Sequence, residues 1–370
     1  MADQQSPKPI RCKAAVCRAA GEPLTIEEIV VDPPGAYEIR IKIICTSLCH
    51  TDITFWRAKA YGVVESVGEH VEEFAAGDAV APTYLGQCDR CSSCASEHNN
   101  VCTAVPFVPG PRMRRDGTTR FRDANGAPLH DCFAVSSFSE YTVVDMNQVV
   151  KLDPAVTPKL ACLLSCGAGT GVGAAWRLAK VEPGSSVAIF GLGSVGLAVA
   201  QGAKMCGASK IIGVDLNPEK EEVGRRFGVT DFVNASLIEK GSVSEVVIAK
   251  MTGGGVDYSF ECIGVSSVMT DAFRSTKAVG NGKTIILGLE KDAQPICLPS
   301  FELLYGKCVM GSLFGGIKPK IDIPILAQKC MNKELELDEL ITHEVGLKDI
   351  NKAFDLLLEG KSLRCIIWMD

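Results

Sequence analysis

Aromatic residues are scarce in this chain, and so are histidines: 6% of its 370 residues are Phe, Trp or Tyr, and only five are His. Five histidines set a low ceiling on the imidazoles that could bind a metal. A basic excess is also missing, since 38 Lys and Arg face 44 Asp and Glu for a formal charge of -6. That balance argues against nucleic acid as a partner, because such binders gather cations on one face. No run of eighteen apolar residues occurs, and the first residues, MADQQSPKPIRCK, hold no apolar core of a signal peptide. A soluble, cytoplasmic protein with no membrane partner is expected. Internal repeats and low-complexity tracts are absent as well.

What is present is apolar bulk. With 46% hydrophobic residues, the chain is long enough to build two separate cores. Seventeen cysteines in a long chain of this kind are expected to be thiols and metal ligands rather than disulfides.

Short apolar runs separated by Pro and Gly fill the first 80 residues, among them EIRIKIIC at 38–45 and YGVVESV at 61–67, which predict a β-rich region. From about residue 168 strand-like and helix-like segments alternate: 186–190, 195–206, 210–214, 219–227, 256–261 and 283–287. That alternation is the pattern of βαβ units on a parallel sheet. It fades after about residue 310, and the chain ends in another strand-like run at 363–369. The expected architecture is α/β: a doubly wound parallel sheet at 168–310, inserted in a discontinuous β-rich domain made of 1–167 and 311–370.

The run SVAIFGLGSVG at 186–196 feeds an apolar strand into Gly191, Gly193 and Gly196 at G-x-G-x-x-G spacing, with a helix-compatible segment behind it. Gly191 allows a tight turn, Gly193 lets a pyrophosphate approach the backbone, and Gly196 lets helix and strand pack closely. Free N–H groups at the helix start would hold the phosphates. Asp215 lies 19 residues beyond Gly196, at the end of the next strand. A carboxylate there accepts from the ribose hydroxyls and repels a 2′-phosphate, which favours NAD over NADP. Lys220 is placed either beside the adenosine ribose or on a solvated helix face.

Cys88, Cys91, Cys94 and Cys102 stand at C-x2-C-x2-C-x7-C. Four thiolates on one compact loop, in a lobe spanning about 84–115, suit a closed tetrahedral zinc site with a structural role. The bacterial iron–sulfur run has a shorter final spacing and a Pro after its last Cys, where this chain has Thr103.

Together with these motifs, SLCHTD at 47–52 and LLSCGAGTGVGAAW at 163–176 make the chain resemble the zinc-dependent medium-chain alcohol dehydrogenases, most of all the plant alcohol dehydrogenase-like proteins. FSEYTVV, GGVDYSFECIG and ELELDELITHEV extend the likeness from about Ile10 to the C-terminus. The resemblance implies a Rossmann domain within a GroES-like catalytic domain, a homodimer, and NAD-linked oxidation of a primary or secondary alcohol to an aldehyde or ketone. It implies Cys49 and Cys166 as catalytic zinc ligands, Thr51 as the hydroxyl that meets the substrate oxygen, and Asp52 as the carboxylate behind the ligands. His50, Thr170 and Arg364 become cofactor contacts, with Arg364 on the pyrophosphate; taken alone, an Arg near a C-terminus is more often a surface charge, so that role rests on the resemblance. Tyr84 and Leu85 would line the substrate pocket.

One family feature is missing. By the resemblance, the third zinc ligand is the His of a Gly-His-Glu motif before the strand that here begins near Tyr61; the chain passes from TDITFW through RAKA to YGVVESVG, shorter than the family, and Ala58 and Lys59 occupy the positions of His and Glu. Of the five histidines, His50 belongs to its motif and His98 to the cysteine lobe; His70, His130 and His343 lie in unrelated segments. Three functions therefore stay open: a zinc alcohol dehydrogenase, a zinc-independent reductase of activated acceptors, or a cofactor-binding dimer partner without turnover.

Overall fold

The computed structural model describes residues 7–19, 21–48, 60–107, 115–131, 134–239, 241–290 and 294–369. The chain divides into two compact units: Met1–Cys166 with Lys318–Met331 and Asp338–Asp370, and Gly167–Ile317 with Asn332–Leu337. No helix among the described residues is long and apolar enough to cross a membrane.

The second unit is built on a six-stranded sheet in the order Asp231–Asn234, Lys210–Asp215, Ser186–Phe190, Tyr258–Glu261, Lys283–Ile286, Cys308–Gly311. Every neighbouring pair is parallel. All but the first residue of SVAIF is buried, as a parallel strand covered on both faces requires. In chain order the sheet runs 3-2-1-4-5-6, so its direction of growth reverses between Ser186–Phe190 and Tyr258–Glu261. Ligands of such sheets bind beyond the strand ends at that reversal.

The small residues of GAGTGVG have a packing reason. Helix Gly167–Gly173 lies so close to helix Ser194–Met205 that a Cβ on Gly171 would come 2.4 Å from the Val195 carbonyl oxygen. A Cβ on Gly202 would meet the Val172 Cα at 2.9 Å. Glycine at both positions lets the helix backbones touch.

The first unit has a seven-stranded sheet along Ile341–Gly346, Arg364–Trp368, Glu38–Leu48, Ala60–Val67, Ala79–Pro82 and Val149–Lys151, with Tyr141–Asp145 also paired to Glu38–Leu48. A four-stranded sheet joins Ile10–Val16, Thr25–Val31, Phe121–Asp123 and Pro128–Leu129. The end of the chain is thus sewn into its beginning: Cys365 pairs with Leu48 and Trp368 with Cys45, antiparallel. Ile39, Ile41, Ile43 and Leu48 from one strand, with Cys365 and Ile367 from the other, share one buried core. That shared core is why residues distant in sequence form one unit.

Candidate functional site

Gly191 turns the chain out of its strand at φ +91°, a conformation that favours glycine. A Cβ on Gly196 would strike the Gly191 carbonyl oxygen at 1.9 Å, so the helix can start this close only with glycine there. Gly193 differs from both: nothing lies within 4 Å of the Cβ it lacks. It precedes helix Ser194–Met205 as an N-cap without a side-chain hydrogen bond, which leaves the first N–H groups of the helix without a side-chain cap. Asp215 is clamped beneath this loop, its Oδ2 accepting from Leu192 N–H at 2.8 Å and its Oδ1 from Asn217 N–H at 3.0 Å. Lys220 begins the helix Lys220–Arg226 and is half-buried. Thr170 is half-buried on helix Gly167–Gly173, and a Cβ on Gly315 would meet its carbonyl oxygen at 2.0 Å.

In the first unit the sulfurs of Cys88, Cys91, Cys94 and Cys102 all lie within 4.8 Å of one another. Cys88 and Cys94 are 3.9 Å apart, and Cys91 and Cys102 4.0 Å. Four thiolates at ~2.3 Å from a tetrahedral zinc would be about 3.8 Å apart, so the cluster has the right size. The backbone prepares it for negative charge: N–H groups of Cys91, Cys94 and Val105 each donate to a cysteine sulfur at 3.4 Å. Hydrogen bonds from Thr103 and Cys94 bring the Cys91 thiol down to about 5, whereas burial pushes Cys94 up to about 12. A divalent cation would pull all four down together. Lys318 Nζ donates to the Cys94 carbonyl at 2.7 Å and Lys320 N–H to Gln87 Oε1 at 2.9 Å, tying the lobe to the returning helix Pro319–Met331.

Cys49, His50, Thr51, Asp52, Ala58 and Lys59 lie outside the described residues. Cys166 is 6% exposed, just beyond helix Pro158–Leu164, whose N-terminus is capped by Thr157. Among the described residues, the four-cysteine lobe is the only group of three or more His, Cys, Asp or Glu close enough to share an ion. Arg364 is 2% exposed and donates to the Leu48 carbonyl at 3.4 Å, so it is not a surface charge. Tyr84 is buried edge-on to Phe107. Leu85 is buried beside it in sequence, 1% exposed.

Two features are invisible in the sequence motifs. The thiols of Cys45 and Cys162 meet at 3.5 Å in a fully buried site, where burial drives the Cys162 thiol well up. Each lies four residues before an expected zinc ligand, Cys49 or Cys166, a spacing that was the only available signal. Glu261, inside the family-like FECIG, is buried completely.

Residues 35–154 match the alcohol dehydrogenase GroES-like domain, and residues 194–329 the zinc-binding dehydrogenase family. The chain is 56% identical to alcohol dehydrogenase-like 2 of Arabidopsis thaliana, over 98% of this chain and 97% of that one. It is 46% identical to alcohol dehydrogenase class-3 of Oryza sativa subsp. japonica, over all of both chains. Among solved structures, a zinc-binding-domain alcohol dehydrogenase protein from Burkholderia ambifaria superposes with a TM-score of 0.89 at 32% identity, covering 98% of this chain and 100% of that one. Benzyl alcohol dehydrogenase from Acinetobacter calcoaceticus gives 0.88 at 26% identity with the same coverage. A doubly wound oxidoreductase unit joined to a β-rich GroES-like unit defines the class. Within it, the chain belongs to the zinc-type medium-chain alcohol dehydrogenases and groups with plant alcohol dehydrogenase-like proteins.

Proposed function

We propose that the chain is an NAD-dependent alcohol dehydrogenase interconverting a small primary or secondary alcohol and its aldehyde or ketone. The observation that carries this reading is Gly193, whose missing side chain answers to no neighbour in the protein. The space it leaves, at an uncapped helix start, suits a pyrophosphate. Asp215 keeps lone pairs for the ribose hydroxyls while its N–H contacts hold it in place, and its charge disfavours a 2′-phosphate. His50, Thr170, Lys220 and Arg364 remain the cofactor contacts of this proposal. Bound NAD supplies the hydride acceptor. Thr51 would take the proton of the alcohol hydroxyl while passing its own on, through the cofactor ribose and water, to solvent.

The four-cysteine lobe is proposed to hold a structural zinc, for which the donor set and spacing fit. The donor set for a catalytic zinc is incomplete: Cys49 and Cys166 offer two thiolates, and Ala58 stands where the imidazole belongs. No step of the reaction is therefore assigned to that metal.

The missing imidazole favours a second reading, a cofactor-binding subunit that pairs with an intact homologue and itself turns nothing over. Its pairing edge would be the terminal strand Cys308–Gly311 with the exposed Phe301, Leu304 and Tyr305 before it. The deciding experiment combines zinc per chain with alcohol-dependent NADH formation on purified protein. Turnover supports the dehydrogenase. NADH binding with a single lobe zinc and no turnover supports the second reading, and failure to bind NAD or NADH removes both.

A further inference from the structure

Glu261 ends the strand Tyr258–Glu261, paired in register with Phe190, the residue before Gly191. It therefore stands at the reversal of strand order, yet it is 0% exposed. Its Oε1 accepts from the N–H groups of Ile263 at 2.9 Å and Gly264 at 2.7 Å. Its main-chain oxygen accepts from Leu287 at 2.8 Å and Gly288 at 3.0 Å. One residue thus ties together the turns that follow two adjacent strands. The fit is close: a Cβ on Gly288 would lie 2.4 Å from Glu261 Oε2 and 2.0 Å from Gly264 N, and one on Gly264 would lie 2.5 Å from the Leu289 oxygen.

The other oxygen, Oε2, is buried with no hydrogen-bond partner among the described residues, and none of their cations pairs with the carboxyl. A buried carboxyl without a cation is costly, and burial pushes its pKa up despite the backbone N–H donors of Gly264, Ile263, Val265 and Gly288. A leucine would avoid that cost but would leave the N–H groups of Ile263 and Gly264 without their acceptor, so the carboxyl is kept for the turn it holds. What the carboxyl controls is the turn bearing Ile263. That side chain is 49% exposed and lies 2.6 Å from where a Cβ on Gly191 would be. It borders the glycine loop. With Asp215 on the adenosine side, the other mononucleotide belongs to the half-sheet that starts with Tyr258–Glu261.

We propose that Glu261 is a positioning residue for the nicotinamide half of the bound cofactor, fastening the turns at 262–264 and 287–289 into the wall that this half lies against. The inference rests on the NAD reading above. NADH and ADP-ribose, which lacks the nicotinamide, are titrated into wild type, Glu261→Ala, Glu261→Gln and Gly288→Ala, with folding checked by thermal melting. Glu261→Ala is expected to weaken NADH about tenfold and ADP-ribose less than about twofold. Glu261→Gln, whose amide oxygen replaces Oε1, stays within about twofold of wild type for both. Gly288→Ala, which drives a methyl into Oε2 and Gly264, repeats the selective loss by another route. Should Glu261→Ala not fold, the other two variants decide between the outcomes. Unchanged NADH affinity in the alanine variants, or parallel loss of both ligands, overturns the proposal. Wild type that binds neither ligand overturns the NAD reading itself.

Discussion

The four-cysteine lobe and the proposed Cys49/Cys166 pair would draw on the same thiolate chemistry, yet they differ in how much chain each needs. The lobe is complete between Cys88 and Cys102, where short turns and the helix Ser92–Ala95, capped by the Cys91 sulfur, gather four sulfurs. In the proposed function, a catalytic site would instead have to collect ligands from three separate segments: after Glu38–Leu48, before Ala60–Val67, and after Pro158–Leu164. A local site survives changes elsewhere in the chain. A dispersed one is lost with any single segment, and here the segment before Ala60 carries no histidine beyond His50 of the SLCHTD motif.

The largest expected break in that comparison is Cys94→Ser. Losing a structural zinc removes binding energy that is also folding energy, so a cost of about 4 kcal/mol or more is expected, with loss of the lobe zinc. Thermal melting and zinc mass spectrometry check it. Cys166→Ser should keep that zinc and cost only about 1 kcal/mol; an equal loss of stability from both variants would erase the distinction.

Next in size is a contrast within the other local motif. Gly196→Ala forces a methyl onto the Gly191 carbonyl and is expected to cost about 3 kcal/mol in a urea melt. Gly193→Ala meets no protein atom, so stability should hold while NADH affinity falls about tenfold. If Gly193→Ala bound NADH as wild type does, the open space there would have no cofactor reason.

Asp215→Ala should weaken NAD by about tenfold and narrow its advantage over NADP, read from binding titrations of the two. The smallest effect tests whether the dispersed site can be repaired locally. Arg57→Gly, Ala58→His and Lys59→Glu together recreate Gly-His-Glu, and a partial gain on the order of half a zinc per chain is expected, because the connecting segment remains short. No gain at all would mean that the missing length, and not only the missing imidazole, empties the site.

The readability of the sequence follows the same division. SVAIF was legible as a strand because a parallel strand buried on both faces needs an unbroken apolar run, and its limits match the sheet. Family and fold class followed from motifs whose parts sit close together. Glu261 was not legible: a carboxyl after an apolar strand looks solvated until Gly264 and Gly288 close over it. Arg364 alone looked like a surface charge, and pairing of its strand with both Glu38–Leu48 and Ile341–Gly346 buries it. The Cys45–Cys162 contact needs a strand and a helix 117 residues apart to meet.

By itself, the sequence determined whatever depends on neighbours along the chain: a glycine's backbone freedom, the thiol spacing of the lobe, the strand–loop–helix order around Gly191, and the missing Gly-His-Glu. The tertiary structure alone decided which polar groups are buried and which distant segments touch. Backbone conformation and short-loop closure are local properties, whereas burial and its electrostatic cost depend on packing from elements far apart in the chain.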